Sequence, residues 1–119
     1  MNWYLAKIVY RIVCGDGNHT PQFDEQLRLI HAPTKEDAFY KAQQTGKKEE
    51  ETFYNLKQEL VKWQFINVSE LYRIGEMIDG AELYSRIEEK DDGDIYTDII
   101  NKKAQGILHS DSNHLLQLV

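Results

Sequence analysis

The chain has 119 residues and a mass of 14.0 kDa, which suits one folded domain and leaves no room for a second independent core. Hydrophobic residues at 41% and charged residues at 29% are ordinary globular proportions. A net charge of −6 excludes a basic nucleic-acid binder, a single cysteine excludes a disulfide scaffold, and apolar runs such as Ile8-Val9-Tyr10 fall far short of the ~20 residues of a spanning helix. The start Met1-Asn2-Trp3-Tyr4 carries no secretory pattern, so the expected home is the cytoplasm, with no membrane and no nucleic acid among the partners.

Trp3 to Cys14 alternates with period two. Tyr4, Ala6, Ile8, Tyr10, Ile12 and Cys14 form an apolar face, and Trp3, Leu5, Lys7, Val9, Arg11 and Val13 a mixed one. Gly15-Asp16-Gly17-Asn18 supplies turn residues, and Gln22 to His31 reads as the antiparallel return strand of a hairpin. Thr34 then opens a helix over 35–45, with Asp37 in its first turn and Gly46 as its stop. After the charge run 47–51, Thr52-Phe53-Tyr54 is a brief strand or the approach to one. Val61 to Ile74 is the third major strand, with a bulge or bend near Ser69. Asp79-Gly80 signals a turn into a further strand over 82–88, where Leu83, Ser85 and Ile87 alternate with polar neighbours, making a second hairpin. Ile95, Tyr96, Ile99, Ile100 and Ala104 return at helical spacing behind Asp94 as N-cap, and Leu115, Leu116, Leu118 and Val119 form an apolar tail.

This layout, with Trp3-Tyr4-Leu5-Ala6-Lys7, Asp24-Glu25-Gln26-Leu27-Arg28-Leu29-Ile30, Ala38-Phe39-Tyr40-Lys41-Ala42, Val61-Lys62-Trp63-Gln64-Phe65 and Asp79-Gly80-Ala81-Glu82-Leu83, resembles a bacterial family, the domain of unknown function DUF4288, over about residues 2–88. The resemblance brings no activity, ligand or catalytic residue with it.

The search for chemistry turns up little. Cys14, Asp16 and His19 cluster beside the first hairpin loop, but a small buried thiol next to turn residues accounts for them better than a nucleophile and base. His109 and His114 do not have the i, i+4 spacing of ligands on one helical face, and Asp91-Asp92-Gly93-Asp94 lacks the alternating ligands of a calcium loop. No cofactor, metal or catalytic residue is assigned. Glu25, on the same strand face as Phe23, Leu27 and Leu29, is expected to pair with Lys7, Arg11 or Arg28.

The expected fold is therefore α+β. An antiparallel sheet of four or five strands in the order ββα-β-ββ carries one helix on one face, and a C-terminal helix follows. Residues 1–90 form a single domain, and 91–119 a helix and tail packed on it or on a partner subunit. The expected core is Tyr4, Ile8, Tyr10, Ile12, Leu27, Leu29, Phe39, Ala42, Trp63 and Phe65.

One short helix cannot cover both faces of such a sheet. The function expected is thus a non-enzymatic protein-interaction module that forms a homodimer or higher homo-oligomer, with Trp3, Leu5, Val9, Tyr72, Tyr84 and Tyr96 as candidate interface residues. Two alternatives stand beside it. Nine acidic residues between Glu76 and Asp98, with Glu88, Glu89, Asp91 and Asp92 as the candidate acidic patch, suggest an immunity-type protein that neutralises a basic toxin or nuclease. A pocket lined by Cys14, His19 and Tyr72 would instead favour a small-molecule binder or enzyme.

Overall fold

A computed structural model describes residues 1–109 of the chain, and its compact units divide between Ser85 and Arg86. The first unit holds strands β1 (Asn2–Cys14) and β2 (Gln22–Ala32), helix α1 (Lys35–Lys48), and strands β3 (Glu51–Tyr54) and β4 (Leu60–Ile74). The second contains helix α2 (Gly93–Ile107). The four strands pair antiparallel in the order β2-β1-β4-β3, so the domain is α+β with the long N-terminal strand in the middle of its sheet.

The hairpin β1–β2 turns at Gly15 and Gly17, whose φ values of +60° and +80° favour glycine. Eleven residue pairs then follow without a break, from Ile12 opposite Gln22 to Asn2 opposite Ala32. The pairing of β1 with β4 is different. Its register shifts between Lys7 and Ile8 and again between Val9 and Tyr10, which leaves Ser69 and Ile66 without a residue opposite. The bend expected near Ser69 is thus a β-bulge with a second close by, and bulges of this kind increase local twist.

Residues opposed across a ladder share a face. Tyr4, Ala6, Ile8 and Tyr10 are all buried, with Ile30 beside Tyr4 and Val68, Leu71 and Phe65 on the β4 side. Against this core face α1 presents Ala38, Ala42 and Gly46, a buried line of small residues at helical spacing. Thr34 caps α1 by accepting the Asp37 N–H at 3.1 Å.

Four sequence expectations need correction. Gly46 does not stop α1, which runs through it to Lys48. A Cβ at Gly46 would lie 2.3 Å from the Phe65 ring and 3.0 Å from Ile8, so the glycine serves close packing rather than termination. Leu27 and Leu29 do not belong to the core, because the register sets them opposite Lys7 and Leu5 on the second face, where they are 41% and 49% exposed. Of the remaining expected core, Tyr4, Ile8, Tyr10 and Ala42 are buried, while Ile12, Phe39, Trp63 and Phe65 are half-buried.

The second hairpin is absent. The turn at Gly80 forms, with the Ala81 N–H on the Ile78 carbonyl at 3.0 Å, but residues 82–88 join no strand. Leu83 and Ile87 remain exposed, and Tyr84 packs its ring on Tyr72 instead of pairing in a strand. Finally, Asp92 and not Asp94 caps α2, accepting the Ile95 N–H at 3.0 Å. His114 and the tail of Leu115, Leu116, Leu118 and Val119 lie outside the described residues.

Candidate interaction surface

The second face of the sheet is assembled from three rows. β2 contributes Phe23, Glu25, Leu27, Leu29 and His31, and β1 contributes Arg11, Val9, Lys7, Leu5 and Trp3 opposite them. From β4 come Gln64, Asn67, Glu70, Tyr72 and Ile74. Four of the six expected interface residues, Trp3, Leu5, Val9 and Tyr72, meet on this face. Tyr84 joins them, its ring edge-on to Tyr72 at 5.3 Å between centroids. Tyr96 is placed in the second unit on α2, where Lys90 Nζ lies 4.9 Å from its ring.

The face is apolar around a charged centre. Lys7 Nζ is 2.5 Å from Glu70 and 3.7 Å from Glu25, which fulfils the expectation of a structural partner for Glu25. The hydrogen bond to Glu70 holds the Lys7 ammonium above the usual lysine range despite its partial burial. Glu70 also accepts the Tyr72 hydroxyl at 2.6 Å, and that bond pushes the phenol up to about 12. Around this cluster Leu5 and Ile74 are buried, but Phe23 remains 54% exposed alongside Leu27 and Leu29, and Trp3 stacks on His31 at 4.2 Å. Phe23, Leu27 and Leu29 were not among the expected interface residues. The partners expected for Glu25 were Lys7, Arg11 and Arg28; the first two lie on the mixed face of β1, and pairing with either would have tied the odd-numbered side chains of β2 to that face.

On the core face a polar relay runs past the end of α1. The Trp63 indole N–H and the Gln26 amide both donate to Asp24, at 3.0 Å and 2.7 Å, Arg28 donates to Gln26 at 2.7 Å, and Arg28 also pairs with Glu49 at 2.8 Å. The Glu50 carboxylate accepts the Phe65 N–H at 2.9 Å, which holds it below the usual carboxylate range. Each of these polar groups has a partner inside the protein, so the relay ties β2 and β4 to α1.

The first hairpin loop behaves likewise. His19 Nε2 accepts the Cys14 backbone N–H at 3.0 Å, which leaves the proton on Nδ1 to be donated to the Thr20 carbonyl at 2.9 Å. The imidazole is thereby committed to the backbone rather than to the Cys14 thiol, which lies 3.6 Å from the Asn55 amide. Tyr72 stands opposite Leu5, near the other end of β1, so Cys14, His19 and Tyr72 do not line one pocket. Among the described residues no group of three or more His, Cys, Asp or Glu side chains could hold a metal ion, and no helix is long and apolar enough to cross a membrane.

The acidic patch is partly spent on local structure. Glu88 contacts Arg86 and lies 2.9 Å from Lys90, which lowers its pKa, and Asp92 caps α2, while Glu89 and Asp91 are exposed. α2 itself contains no buried residue, and Ile95, Tyr96, Ile99, Ile100 and Ile107 are exposed along it.

No curated protein and no solved structure matches the chain. A family match does exist over residues 3–85, which takes in the sheet, α1 and Tyr84. The chain therefore belongs to the family described as the domain of unknown function DUF4288.

Proposed function

We propose that this protein is a non-enzymatic protein-interaction module that self-associates through the second face of its sheet and the strand bordering it. The observation that carries the reading is the apolar surface of Trp3, Phe23, Leu27, Leu29 and Tyr72, left exposed on one face of a well-packed sheet. Contiguous patches of this kind mark interaction sites more often than they occur idly. Rigid aromatic side chains around a paired charge also suit an interface, because they bury area at small entropic cost. The absorption of His19, Asp24 and Arg28 into internal hydrogen bonds supports a binding role over a catalytic one. A reducing cytoplasmic setting suits the lone thiol of Cys14. Neutralisation of a basic partner is the weaker reading, because Glu88 and Asp92 already have local partners.

Sedimentation of the full chain beside a chain ending at Asp92 tests the proposal. A species heavier than the monomer is expected, growing with concentration. Compact monomers from both chains at every concentration would overturn it.

A further inference from the structure

β2 is an outer strand of the sheet, bonded to β1 on one side only. Proteins usually blunt so long an edge with a bulge, a proline or charged side chains. Gln22–Ala32 has no bulge and no proline, its eleven pairs with β1 run without a register shift, and its charges, Asp24, Glu25 and Arg28, are of both signs and can be opposed across a second copy. Its other border carries backbone donors and acceptors that no strand among the described residues pairs, with only the His31 carbonyl shown accepting a side chain, and it is flanked on the second face by exposed Phe23, Leu27 and Leu29. Such a border can accept another extended strand, and the sequence of β2 is suited to accepting itself.

Two copies of one strand pair antiparallel about a twofold axis normal to the sheet. Opposed residues must share a face, so the axis falls at a residue position and not between two. Four central positions compete. An axis at Glu25 sets Glu25 against Glu25 of the second copy, and one at Arg28 sets the two guanidinium groups together; like charges directly opposite are destabilising. An axis at Leu27 leaves Asp24 opposite Ile30 and draws in His31, whose carbonyl already accepts Lys41 Nζ at 2.9 Å. The remaining position is Gln26. There Asp24 opposes Arg28 on the core face, each keeping its partners within its own copy, and Gln26 meets its own copy; on the second face Phe23 opposes Leu29, and Glu25, still beside Lys7, opposes Leu27. Symmetry gives each of the four unlike pairs, Gln22–Ile30 among them, twice. The ladder runs from Gln22 to Ile30 and ends before the carbonyl occupied by Lys41.

We propose that two copies of this chain join edge to edge through β2, antiparallel about Gln26, with Asp24 against Arg28 and Phe23 against Leu29 of the second copy. The partner is a second copy of this chain, and the product is one continuous eight-stranded sheet in which the apolar second faces of both copies become a single surface. The inference rests on the self-association reading and assigns it to the bordering strand, with Trp3 and Tyr72 still exposed on the joined face.

A charge exchange on the exposed face tests the register. Phe23 and Leu29 are six residues apart on one strand, roughly 20 Å, so they cannot compensate each other within a copy. Phe23→Glu and Leu29→Lys, made singly in the full chain, should each weaken dimerisation about tenfold or more by sedimentation equilibrium, a loss of about 1.4 kcal/mol. The double variant should recover most of that affinity, because each new glutamate then faces a new lysine. Circular dichroism checks that every variant keeps its fold. As a second measurement, Gln26→Cys in a Cys14→Ser chain should form an intermolecular disulfide on mild oxidation, since opposed Cα atoms in such a ladder fall within disulfide range.

The outcomes separate the two levels of the argument. A wild-type chain that stays monomeric at every concentration overturns both self-association and this geometry. If the wild type dimerises but the double variant stays as weak as the single ones and the Gln26→Cys chain does not cross-link, the β2 register is wrong and self-association through another surface stands.

Discussion

Gly46 shows how one residue can carry two opposite physical demands. Inside a helix glycine costs roughly 1 kcal/mol relative to alanine, and on that ground alone Gly46→Ala should stabilise α1. The site decides otherwise, because the new methyl would meet the Phe65 ring at 2.3 Å and Ile8 at 3.0 Å. The Tyr10 hydroxyl also donates to the Gly46 carbonyl at 2.7 Å, which fixes the helix against the sheet at this point. Overpacking costs ~1–3 kcal/mol, so Gly46→Ala is expected to lower the thermal midpoint. A midpoint equal to or above that of the wild type would show that the ring moves aside freely.

A second residue-scale consequence concerns alkaline pH. The Tyr72 phenol is pushed up to about 12 by its hydrogen bond to Glu70, and burial raises that of Tyr10. A pKa raised on folding means that the native state holds its proton more tightly than the unfolded chain. The resulting stability is complete below about pH 10, the unfolded tyrosine value, and is lost as pH rises through the folded value. Urea midpoints should therefore fall between about pH 10 and 12. Tyr72→Phe should flatten that fall while leaving the neutral-pH fold intact, and an unchanged slope in this variant would remove Tyr72 from the account.

At the scale of elements, most of the sheet was legible because period-two alternation survives wherever one face is buried. β1, β2, β4 and both helices stand where their apolar spacing places them, and Ser69 marks a real bulge. What the alternation did not supply is which face of β2 meets which face of β1. That follows from the hairpin register, in which Gln22 lies opposite Ile12, so the even residues of β2 join Tyr4 and Tyr10. Leu27 and Leu29 are large apolar side chains and look like core. Yet the core takes Ile30 and Ala32, because α1 approaches through Ala38, Ala42 and Gly46, and only small or well-placed side chains fit beneath it. The misplaced strand over 82–88 has a related cause. Alternation alone cannot separate a paired strand from an extended segment whose ring at Tyr84 packs onto a neighbouring face. The candidate surface was accordingly half visible: Trp3, Leu5, Val9 and Tyr72 follow from β1 and β4, while Phe23, Leu27 and Leu29 needed the register.

For the whole molecule the two units differ in what stabilises them. The first has a buried core of Tyr4, Ala6, Ile8, Tyr10, Ile30 and the small residues of α1. Among the described residues the side-chain bonds within α2 are local: the Asp92 cap at 3.0 Å, the Thr97 hydroxyl on the Gly93 carbonyl at 2.8 Å and an exposed Asp98–Lys102 pair at 2.9 Å, with no buried residue along its length. A cap contributes ~1 kcal/mol and an exposed i, i+4 pair a few tenths. Helix nucleation is costly enough that an isolated helix of about 15 residues is marginal in water even with good helix formers. α2 contains Gly93, Gly106, Thr97 and four isoleucines, none of which helps. Covering its exposed apolar stripe of Ile95, Tyr96, Ile99 and Ile100 would add the burial it lacks. Hydrogen exchange should find the amides of 93–107 exchanging much faster than those of Tyr4–Tyr10 at concentrations where the chain is monomeric. Where a second copy covers that stripe, protection in α2 should rise with concentration; where copies join through β2 alone, it should not change. If α2 in the monomer is protected as long as the centre of β1, the helix is stable in its own right and plays no part in association.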